Sequence, residues 1–248
     1  MEYKKKLFES FENTNNKYLL LDTETDRLET DTAHILQISF IIADHEFKEY
    51  IEMYDTLIDV GNISITNSYC HGITNDMCNK KGISIVETLE ILYEYLTFCT
   101  HLIIYNYKFD IAVLNTELER FQNRDLAELA NKIRKELDSK IIICPMRELS
   151  GLININNNSR AHKLSENYEA VLSKKITNAH NSKYDVLNML EMLKYIYDNK
   201  DHFLNKPLDY KMLPLAELKK ICKSKGIKKY STKRKEELIN MLFEFDSL

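Results

Sequence analysis

The sequence has few residues that interrupt regular secondary structure and no segment suited to cross a membrane. Only five glycines and three prolines occur among 248 residues, and 44% of the residues are hydrophobic. This composition excludes a fibrous or disordered chain and fits one globular domain with a small appendage. No apolar run approaches the roughly 18 residues of a membrane span, and the first ten residues are charged, unlike a signal peptide. We therefore expect an intracellular protein, in the cytoplasm or nucleus, with no membrane partner.

Cysteine patterns typical of disulfide frameworks and zinc sites are also missing. The five cysteines are odd in number and include no Cys-x-x-Cys pair, which fits reduced thiols. Cys70, His71 and Cys78 lie close together in the sequence, but a fourth ligand and the usual zinc spacing are lacking. The sequence therefore indicates an intracellular domain without structural zinc.

The charge of the chain is unevenly distributed. The net charge is -4, yet the segment from Asp209 onward holds ten Lys or Arg residues against six Asp or Glu residues. A basic tail on an acidic body indicates a module that binds a polyanion beside one that binds cations. A solvated basic helix face is the alternative interpretation of the tail.

Hydrophobic patterning predicts an α/β fold. Strand-like runs rich in Ile, Leu, Tyr and Phe occupy residues 18–23, 35–43, 46–53, 101–105 and 139–144. Helical spacing begins after Ser84, which forms a possible capping box with Glu87, and returns at residues 107–121, 125–137, 162–172 and 181–197. The first three strands lie close together in the chain, as in an antiparallel meander. The pattern predicts a mixed sheet covered by helices.

Four carboxylates and one histidine occupy positions that ordinary packing does not explain. Asp22 and Glu24 end an apolar strand and, as alternate residues, project to one face. Asp110 stands at a strand-to-helix junction, and Asp185 lies in the apolar stripe of a helix that His180 precedes. Convergent buried acids stay ionised most readily around a hard divalent cation. Any one of them alone could be a cap, turn or surface residue, but together they favour a metal site.

These residues and their neighbours resemble three motifs of a known nuclease family. The segments Leu21–Thr25, Asn106–Asp110 and His180–Asp185, in this order, are similar to the exonuclease motifs of the DnaQ-like DEDDh family. The resemblance covers residues 17–197 and implies an RNase H-like fold. It also implies hydrolysis of 3′-terminal phosphodiesters to nucleoside monophosphates with two divalent cations, Mg²⁺ or Mn²⁺. Asp22, Glu24, Asp110 and Asp185 would be catalytic metal ligands, and His180 the general base.

The same resemblance implies a set of substrate-binding residues. The segment Tyr69–Thr74 looks like the HGIT segment of the family, and a leucine that wedges against terminal bases corresponds to Leu28. The implied substrate contacts are Thr23, Thr25, Leu28, His71, Ile73, Asn106 and Phe109. The chain departs from the family at Arg27, Gln37 and Tyr105, and these departures concern substrate preference rather than the metal ligands.

The basic tail resembles a SAP domain, a small two-helix nucleic-acid-binding module. We expect an exonuclease domain at residues 1–200, a linker at 201–212 and the SAP-like domain at 213–248. Ser231 or Thr232 would cap its second helix, with cations in the first turn that bind phosphate. The expected nucleic-acid contacts of the tail are Lys228, Lys229, Lys233, Arg234 and Lys235. A two-helix appendage that serves only packing is the alternative.

The sequence therefore predicts a metal-dependent 3′→5′ exonuclease whose partner is a DNA or RNA 3′ end. DNA is slightly favoured, because SAP-like modules as a class bind duplex DNA. An exoribonuclease that trims RNA ends is the first alternative, and an inactive nucleic-acid-binding scaffold is the second. The presence of all four acids and His180 argues against the scaffold.

Overall fold

A five-stranded mixed sheet forms the centre of the protein. The computed structural model describes residues 5–121, 124–153 and 162–247. The strands, in chain order, are β1 (Tyr18–Thr25), β2 (Ile35–Ala43), β3 (Glu49–Leu57), β4 (His101–Ile104) and β5 (Ile141–Ile143). Their spatial order is β3-β2-β1-β4-β5. Strands β1 to β3 pair antiparallel, whereas β1–β4 and β4–β5 pair parallel. The predicted α/β fold with a meander and parallel strands is confirmed.

Helices cover both faces of this sheet and form the C-terminal unit. In chain order they are α1 (Lys6–Ser10), α2 (Ser68–His71), α3 (Asn75–Lys81), α4 (Ile85–Phe98), α5 (Tyr107–Glu119), α6 (Arg124–Ser139), α7 (Pro145–Glu148), α8 (Leu164–Leu172), α9 (Ser182–Asp198), α10 (Lys200–Leu204), a 3₁₀ helix (Tyr210–Met212), α11 (Leu215–Ser224) and α12 (Lys235–Asp246). None of the described helices is long and apolar enough to cross a bilayer.

Two hydrophobic cores flank the sheet, and β1 contributes to both. Tyr18 and Leu20 belong to the core that α8 and α9 cover, whereas Leu19 and Leu21 belong to the core under α4, α5 and α6. This alternation is the period-two geometry of a strand buried on both faces. It directs the next even-numbered residues, including Asp22, toward the side of α9.

Local signals explain several helix starts, and short helices escaped prediction. Ser84 caps α4 by accepting a hydrogen bond from the Val86 N–H, as the sequence indicated, although the bond goes to the second helical residue. The short helices α1, α2, α3 and α7 have four to seven residues, too few for a clear hydrophobic period. Strand β3 runs to Leu57, beyond the expected 46–53.

The expected linker at residues 201–212 is instead ordered and partly buried. It contains α10 and the 3₁₀ helix, in which Tyr210 and Met212 are buried. Tyr210 packs in the same small core as Leu213, Leu218 and Leu238. The C-terminal unit therefore includes the 3₁₀ helix, because its core needs an aromatic side chain from before residue 213.

The start of α12 also differs from the sequence expectation. Neither Ser231 nor Thr232 is the cap, because the helix begins at Lys235 with Arg234 as its N-cap residue. The Glu237 carboxylate accepts a 2.8 Å hydrogen bond from the Arg234 N–H and pairs with Lys233 at 2.7 Å. Glu237 thus satisfies one backbone N–H at this helix start, and the phosphate expected there stays a prediction.

Candidate active site

Three carboxylates converge where β1 approaches the first turn of α9. One oxygen each from Asp22, Glu24 and Asp185 lies within 4.8 Å of the others, an arrangement that could hold a metal ion. Asp22 and Glu24 are alternate residues of β1, so both project toward α9. Asp185 lies in the first turn of α9, which is fixed by the buried residues Val186 and Met189.

The fourth acid, Asp110, approaches from the other side of β1. It lies in the first turn of α5 and is 2% exposed. Its Oδ1 accepts hydrogen bonds from the Thr23 hydroxyl at 2.8 Å and from the Thr23 N–H at 3.2 Å. Its charge raises the pKa of Asp22 and of Glu24, which places it at the edge of the three-acid cluster. The structure therefore brings together all four acids predicted from the sequence.

Burial and mutual repulsion make these acids reluctant to ionise without a cation. Burial raises the pKa of Asp22 far above its usual range, and the charges of Asp110, Asp185 and Glu24 raise it further. The same causes raise the pKa of Glu24 to about 8. Burial also raises the pKa of Asp110 to about 7 and that of Asp185 to about 6. Like charges held this close need a compensating positive charge to remain ionised.

A hard divalent cation fits this cluster by charge and by ligand type. In the described part of the chain, no Lys or Arg pairs with any of the four carboxylates. The cluster offers only oxygen ligands, which Mg²⁺ and Mn²⁺ prefer. Asp22, Glu24 and Asp185 would hold such an ion, and Asp110 would complete its surroundings.

The segment that precedes α9 places His180 beside the cluster. The His180 N–H donates a 3.2 Å hydrogen bond to Asp185 Oδ2, and the histidine lowers the pKa of that carboxyl against the larger effect of burial. His180 has a left-handed φ of 63°, which histidine tolerates better than most residues do. Its side chain is exposed, so the imidazole can reach a substrate.

A pair of serines that was not predicted from the sequence ties the start of α9 to the sheet. The hydroxyls of Ser39 on β2 and Ser182 on α9 lie 2.6 Å apart, and both residues are completely buried. This bond fixes the first turn of α9 against the sheet three residues before Asp185. Only the small size and the polarity of Ser39 within a fully buried strand could have drawn attention to it.

The segment around α2 borders the site, as the resemblance implied. The Nδ1 of His71 accepts the Ile73 N–H at 3.0 Å, and its Nε2 lies 3.1 Å from Asn67 Oδ1. Burial lowers the pKa of His71, and the His180 charge lowers it further. Ile73 corrects the sequence expectation: it is 2% exposed and packs on Leu36. Its side chain anchors the segment and does not face a substrate.

Two further expected substrate residues lie at the end of β1 and just after it. Thr25 is buried, and its hydroxyl donates a 2.7 Å hydrogen bond to the Arg27 carbonyl. Arg27, which stands where the family usually has glycine, pairs with Asp26 at 2.7 Å. Leu28 is 70% exposed, so a large apolar side chain is presented to solvent shortly after Glu24 in the chain. The Thr25 hydroxyl thus shapes the turn that displays Leu28.

Asn106 and Phe109 begin the helix that carries Asp110. Asn106 is exposed with a left-handed φ of 61°, and its carbonyl accepts the Phe109 N–H at 3.0 Å. Phe109 packs partly against the core under α5. The preceding residue, Tyr105, donates a 2.6 Å hydrogen bond to the His162 carbonyl and accepts one of 2.7 Å from Asn167. Tyr105 therefore ties α8 to this corner of the site.

The cationic residues expected to contact nucleic acid in the tail lie around the turn between α11 and α12. Lys228 and Lys229 are exposed, as is Arg234. Lys233 is partly committed to its ion pair with Glu237, and Lys235 is half-buried. The turn presents cations to solvent, but the structure does not place them near the acidic cluster.

Comparison with known proteins identifies two family models along the chain. The model described as "Exonuclease" (RNase_T) matches residues 19–193. The model "Rho termination factor, N-terminal domain" matches residues 209–244. This second match does not confirm the SAP interpretation of the tail, which stays a prediction. No sequence among the functionally curated proteins matches the chain significantly.

Solved structures of exonuclease I share the fold. One exonuclease I structure is 18% identical with a TM-score of 0.61, and it aligns with 77% of this chain and 42% of its own. E. coli exonuclease I in complex with a dT13 oligonucleotide is 17% identical with a TM-score of 0.60, over 77% and 43%. The enzyme from Methylocaldum szegediense is 16% identical with a TM-score of 0.60, over 77% and 42%. The chain spans less than half the length of these proteins.

Proposed function

The chain belongs to the exonuclease (RNase_T) family, and on this premise we propose that it is a metal-dependent 3′→5′ exonuclease that releases nucleoside monophosphates. The observation that carries the proposal is the convergence of Asp22, Glu24 and Asp185, with Asp110 adjoining them. Such a cluster stores unfavourable charge, which is the expected property of a site that binds cations during its reaction.

The residues of the chain divide the chemistry among them. Two bound Mg²⁺ or Mn²⁺ ions would lower the pKa of a water and stabilise the leaving 3′ oxygen. Asp22, Glu24, Asp110 and Asp185 would hold these ions. His180 is exposed and stands beside Asp185, so its imidazole would accept the proton of the attacking water as a general base.

The turn after β1 supports action at a chain end. Exposed Leu28 lies in the turn that follows β1, a few residues after Glu24. An apolar side chain at this position can pack against a terminal base. The Thr25 hydroxyl and the Arg27 carbonyl hold this turn at 2.7 Å. A 3′-terminal nucleotide seated between Leu28 and the acids would present its phosphodiester to the metal ions.

DNA is the proposed substrate class. Structures with the same fold include exonuclease I bound to dT13 and to dA16 oligonucleotides. At 16–17% identity these relatives share the fold with this chain, so DNA is an inference about this chain. Trimming of RNA is the outcome that would replace it.

The test is a degradation assay with 5′-labelled single-stranded DNA, duplex DNA and RNA of one sequence. We expect a ladder of products shortened from the 3′ end with Mg²⁺ or Mn²⁺, and intact substrate with EDTA. Asp22→Asn should give no ladder, because the metal site loses a charged ligand of nearly unchanged size. Immediate release of the 5′ label as a mononucleotide, which marks degradation from the 5′ end, or trimming by Asp22→Asn at the parent rate, would refute the proposal.

A further inference from the structure

A long groove separates the edge of the sheet from the C-terminal unit. Its volume is about 990 Å³. One wall is formed by the edge strand β5 and by α7, and the other by α11. Tyr107, the first residue of α5, also lines the groove. Because Asp110 lies on the same helix three residues later, one end of the groove adjoins the corner of the active site that α5 forms.

The two walls are held together by specific contacts rather than loosely apposed. Buried Lys5 donates hydrogen bonds to the Ser150 carbonyl at 3.1 Å and to Glu217 Oε1 on α11 at 2.7 Å. The Ser150 hydroxyl donates to the Met212 carbonyl at 2.9 Å, and the Asp209 N–H donates to the Gly151 carbonyl at 2.9 Å. The groove is therefore a built feature of the fold.

The acids that line the groove are mostly neutralised within the protein. Glu217 pairs with Lys5 at 2.7 Å. Glu148 accepts the Leu7 N–H at 3.2 Å, and burial raises its pKa. Glu9 is exposed. Two lining acids of three thus contribute little negative potential.

The positive charges of the lining cations are less fully balanced by ion pairs within the protein. Lys140 pairs with Glu136 at 2.8 Å. Lys6, Arg147 and Lys220 are exposed, and the ion pairs of the described part of the chain leave them without a carboxylate partner. These three come from three elements, α1, α7 and α11, so the groove itself brings them together. Three cations that line one groove suit a ligand with repeated negative charges.

A guanidinium and an aromatic ring make a cation–π contact inside the groove. The guanidinium carbon of Arg147 lies 5.2 Å from the ring centroid of Tyr107. Planar guanidinium and aromatic faces bind unstacked nucleobases with little sequence preference. A groove that offers an aromatic ring and a guanidinium beside further cations matches a single strand, whose bases are accessible, better than a duplex, whose bases are already stacked.

We propose that this groove binds the single-stranded part of the nucleic acid that precedes the 3′ end in the active site. The inference rests on the proposed exonuclease function and adds a second contact region to it. It assigns the face of α11 that carries Lys220 to nucleic acid, in addition to the turn that carries Lys228 and Lys229. Phosphates of the strand bind Lys6, Lys220 and Arg147. A base of the strand stacks on the Tyr107 ring or on the Arg147 guanidinium.

The test compares two variants that lose the same type of surface charge. The groove variant carries Lys6→Ala, Arg147→Ala and Lys220→Ala, and the control carries Lys80→Ala and Lys132→Ala, whose lysines pair with neighbours on α3 and α6. Binding of fluorescent dT15 is measured by anisotropy in EDTA across salt concentrations. The groove variant should bind about tenfold more weakly or worse, and its salt slope should fall by about two, from three lost phosphate contacts.

A conservative variant and a short substrate separate the groove from folding and from catalysis. Arg147→Lys keeps the charge but removes the planar group, so it should weaken binding less than Arg147→Ala does. The groove variant should hydrolyse a dinucleotide with Mn²⁺ at close to the parent rate, and its circular dichroism should match that of the control. If neither the parent protein nor any variant cleaves a substrate, the exonuclease proposal fails. The dT15 binding data still test the groove proposal, because they are measured in EDTA without cleavage. Equal dT15 affinity of groove and control variants, or an equal loss on duplex DNA, would overturn the groove proposal.

Discussion

The hydroxyl and the backbone N–H of Thr23 both donate to one oxygen of Asp110, at 2.8 and 3.2 Å. Thr23 stands between Asp22 and Glu24, so the strand that carries two acids also orients a third. These hydrogen bonds favour the ionised carboxylate and partly offset the burial that raises the pKa of Asp110 to about 7. A small polar side chain between two acids thus helps to set the charge of the whole site.

Thr23→Val should therefore impair metal-dependent hydrolysis without changing the shape of the strand. Loss of the hydroxyl leaves Asp110 Oδ1 with the backbone N–H of residue 23 and without its shorter hydrogen bond, which raises the pKa of Asp110 further. We expect kcat or the Mn²⁺ affinity to fall by about 10- to 100-fold, the usual cost of losing a group that orients a metal ligand. Thr23→Ser retains the hydroxyl and should keep most of the activity. Steady-state kinetics at several Mn²⁺ concentrations measure both effects, and equal rates for Val and Ser would contradict this role.

His180→Asn should remove the proton acceptor and preserve the backbone. Asparagine tolerates the left-handed φ of 63° found here, and the N–H bond to Asp185 remains possible. We expect kcat to fall by about 10²–10⁴-fold with Mn²⁺ affinity nearly unchanged, and added imidazole to restore part of the rate. His202→Asn, on the exposed surface of α10, is the control. Full activity of His180→Asn would exclude the general-base role.

Metal-free protein should lose stability as the pH rises from about 6 to about 8.5. In the folded protein the pKa of Glu24 is about 8 and that of Asp110 is about 7. Both residues therefore hold protons that the unfolded chain has already released. Raised pKa values stabilise the folded state at low pH, and this contribution disappears as the pH passes through them. Mg²⁺ binds the ionised acids, so the Mg²⁺-induced increase in Tm should be larger near pH 8.5 than near pH 6. Differential scanning calorimetry measures both, and a pH-independent increase would be the contrary result.

Asp22→Asn should have opposite effects on stability and on activity. It replaces a buried carboxyl, whose ionisation burial and the charges of Asp110, Asp185 and Glu24 oppose, with a neutral amide, so the metal-free Tm near pH 8.5 should rise by a few degrees, corresponding to about 1 kcal/mol. The same change should abolish hydrolysis and the Mg²⁺-induced increase in Tm. Lys132→Ala, far from the site, should change neither. A lower Tm of metal-free Asp22→Asn would mean that the cluster is not strained by repulsion.

The four acids were identifiable from the sequence because each violates a local rule that its neighbours obey. Asp22 and Glu24 end an apolar strand, and Asp185 interrupts the buried stripe of α9 that Val186 and Met189 continue. Hydrophobic periods of 2 and 3.6 thus gave the fold and its acidic centre together.

Contacts between distant segments were beyond local patterning. Ser39 and Ser182 are separated by 143 residues, and nothing in either segment indicates that the other is its partner. Ile73 was assigned by motif to the substrate, yet the fold places it against Leu36 in a core. At the start of α12, Glu237 competes with a ligand for free N–H groups, and such competition is decided only by the geometry of the folded turn.

Gly151 provides a test of how firmly the C-terminal unit is seated. Its φ is +80°, and a Cβ there would lie 2.7 Å from Leu213 Cδ2 and 3.2 Å from the Asp209 carbonyl oxygen. Gly226 has a similar φ of +73° but no atom within 4 Å of its Cβ position. Gly226→Ala should therefore cost only the backbone strain, about 1–2 kcal/mol. Gly151→Ala should cost about 1–3 kcal/mol more, because Leu213 must move. Since Leu213 lies directly before α11, this movement shifts one wall of the groove, and dT15 binding should weaken for Gly151→Ala alone. Equal Tm values and equal affinities for the two variants would mean that the unit accommodates the added methyl group without resistance.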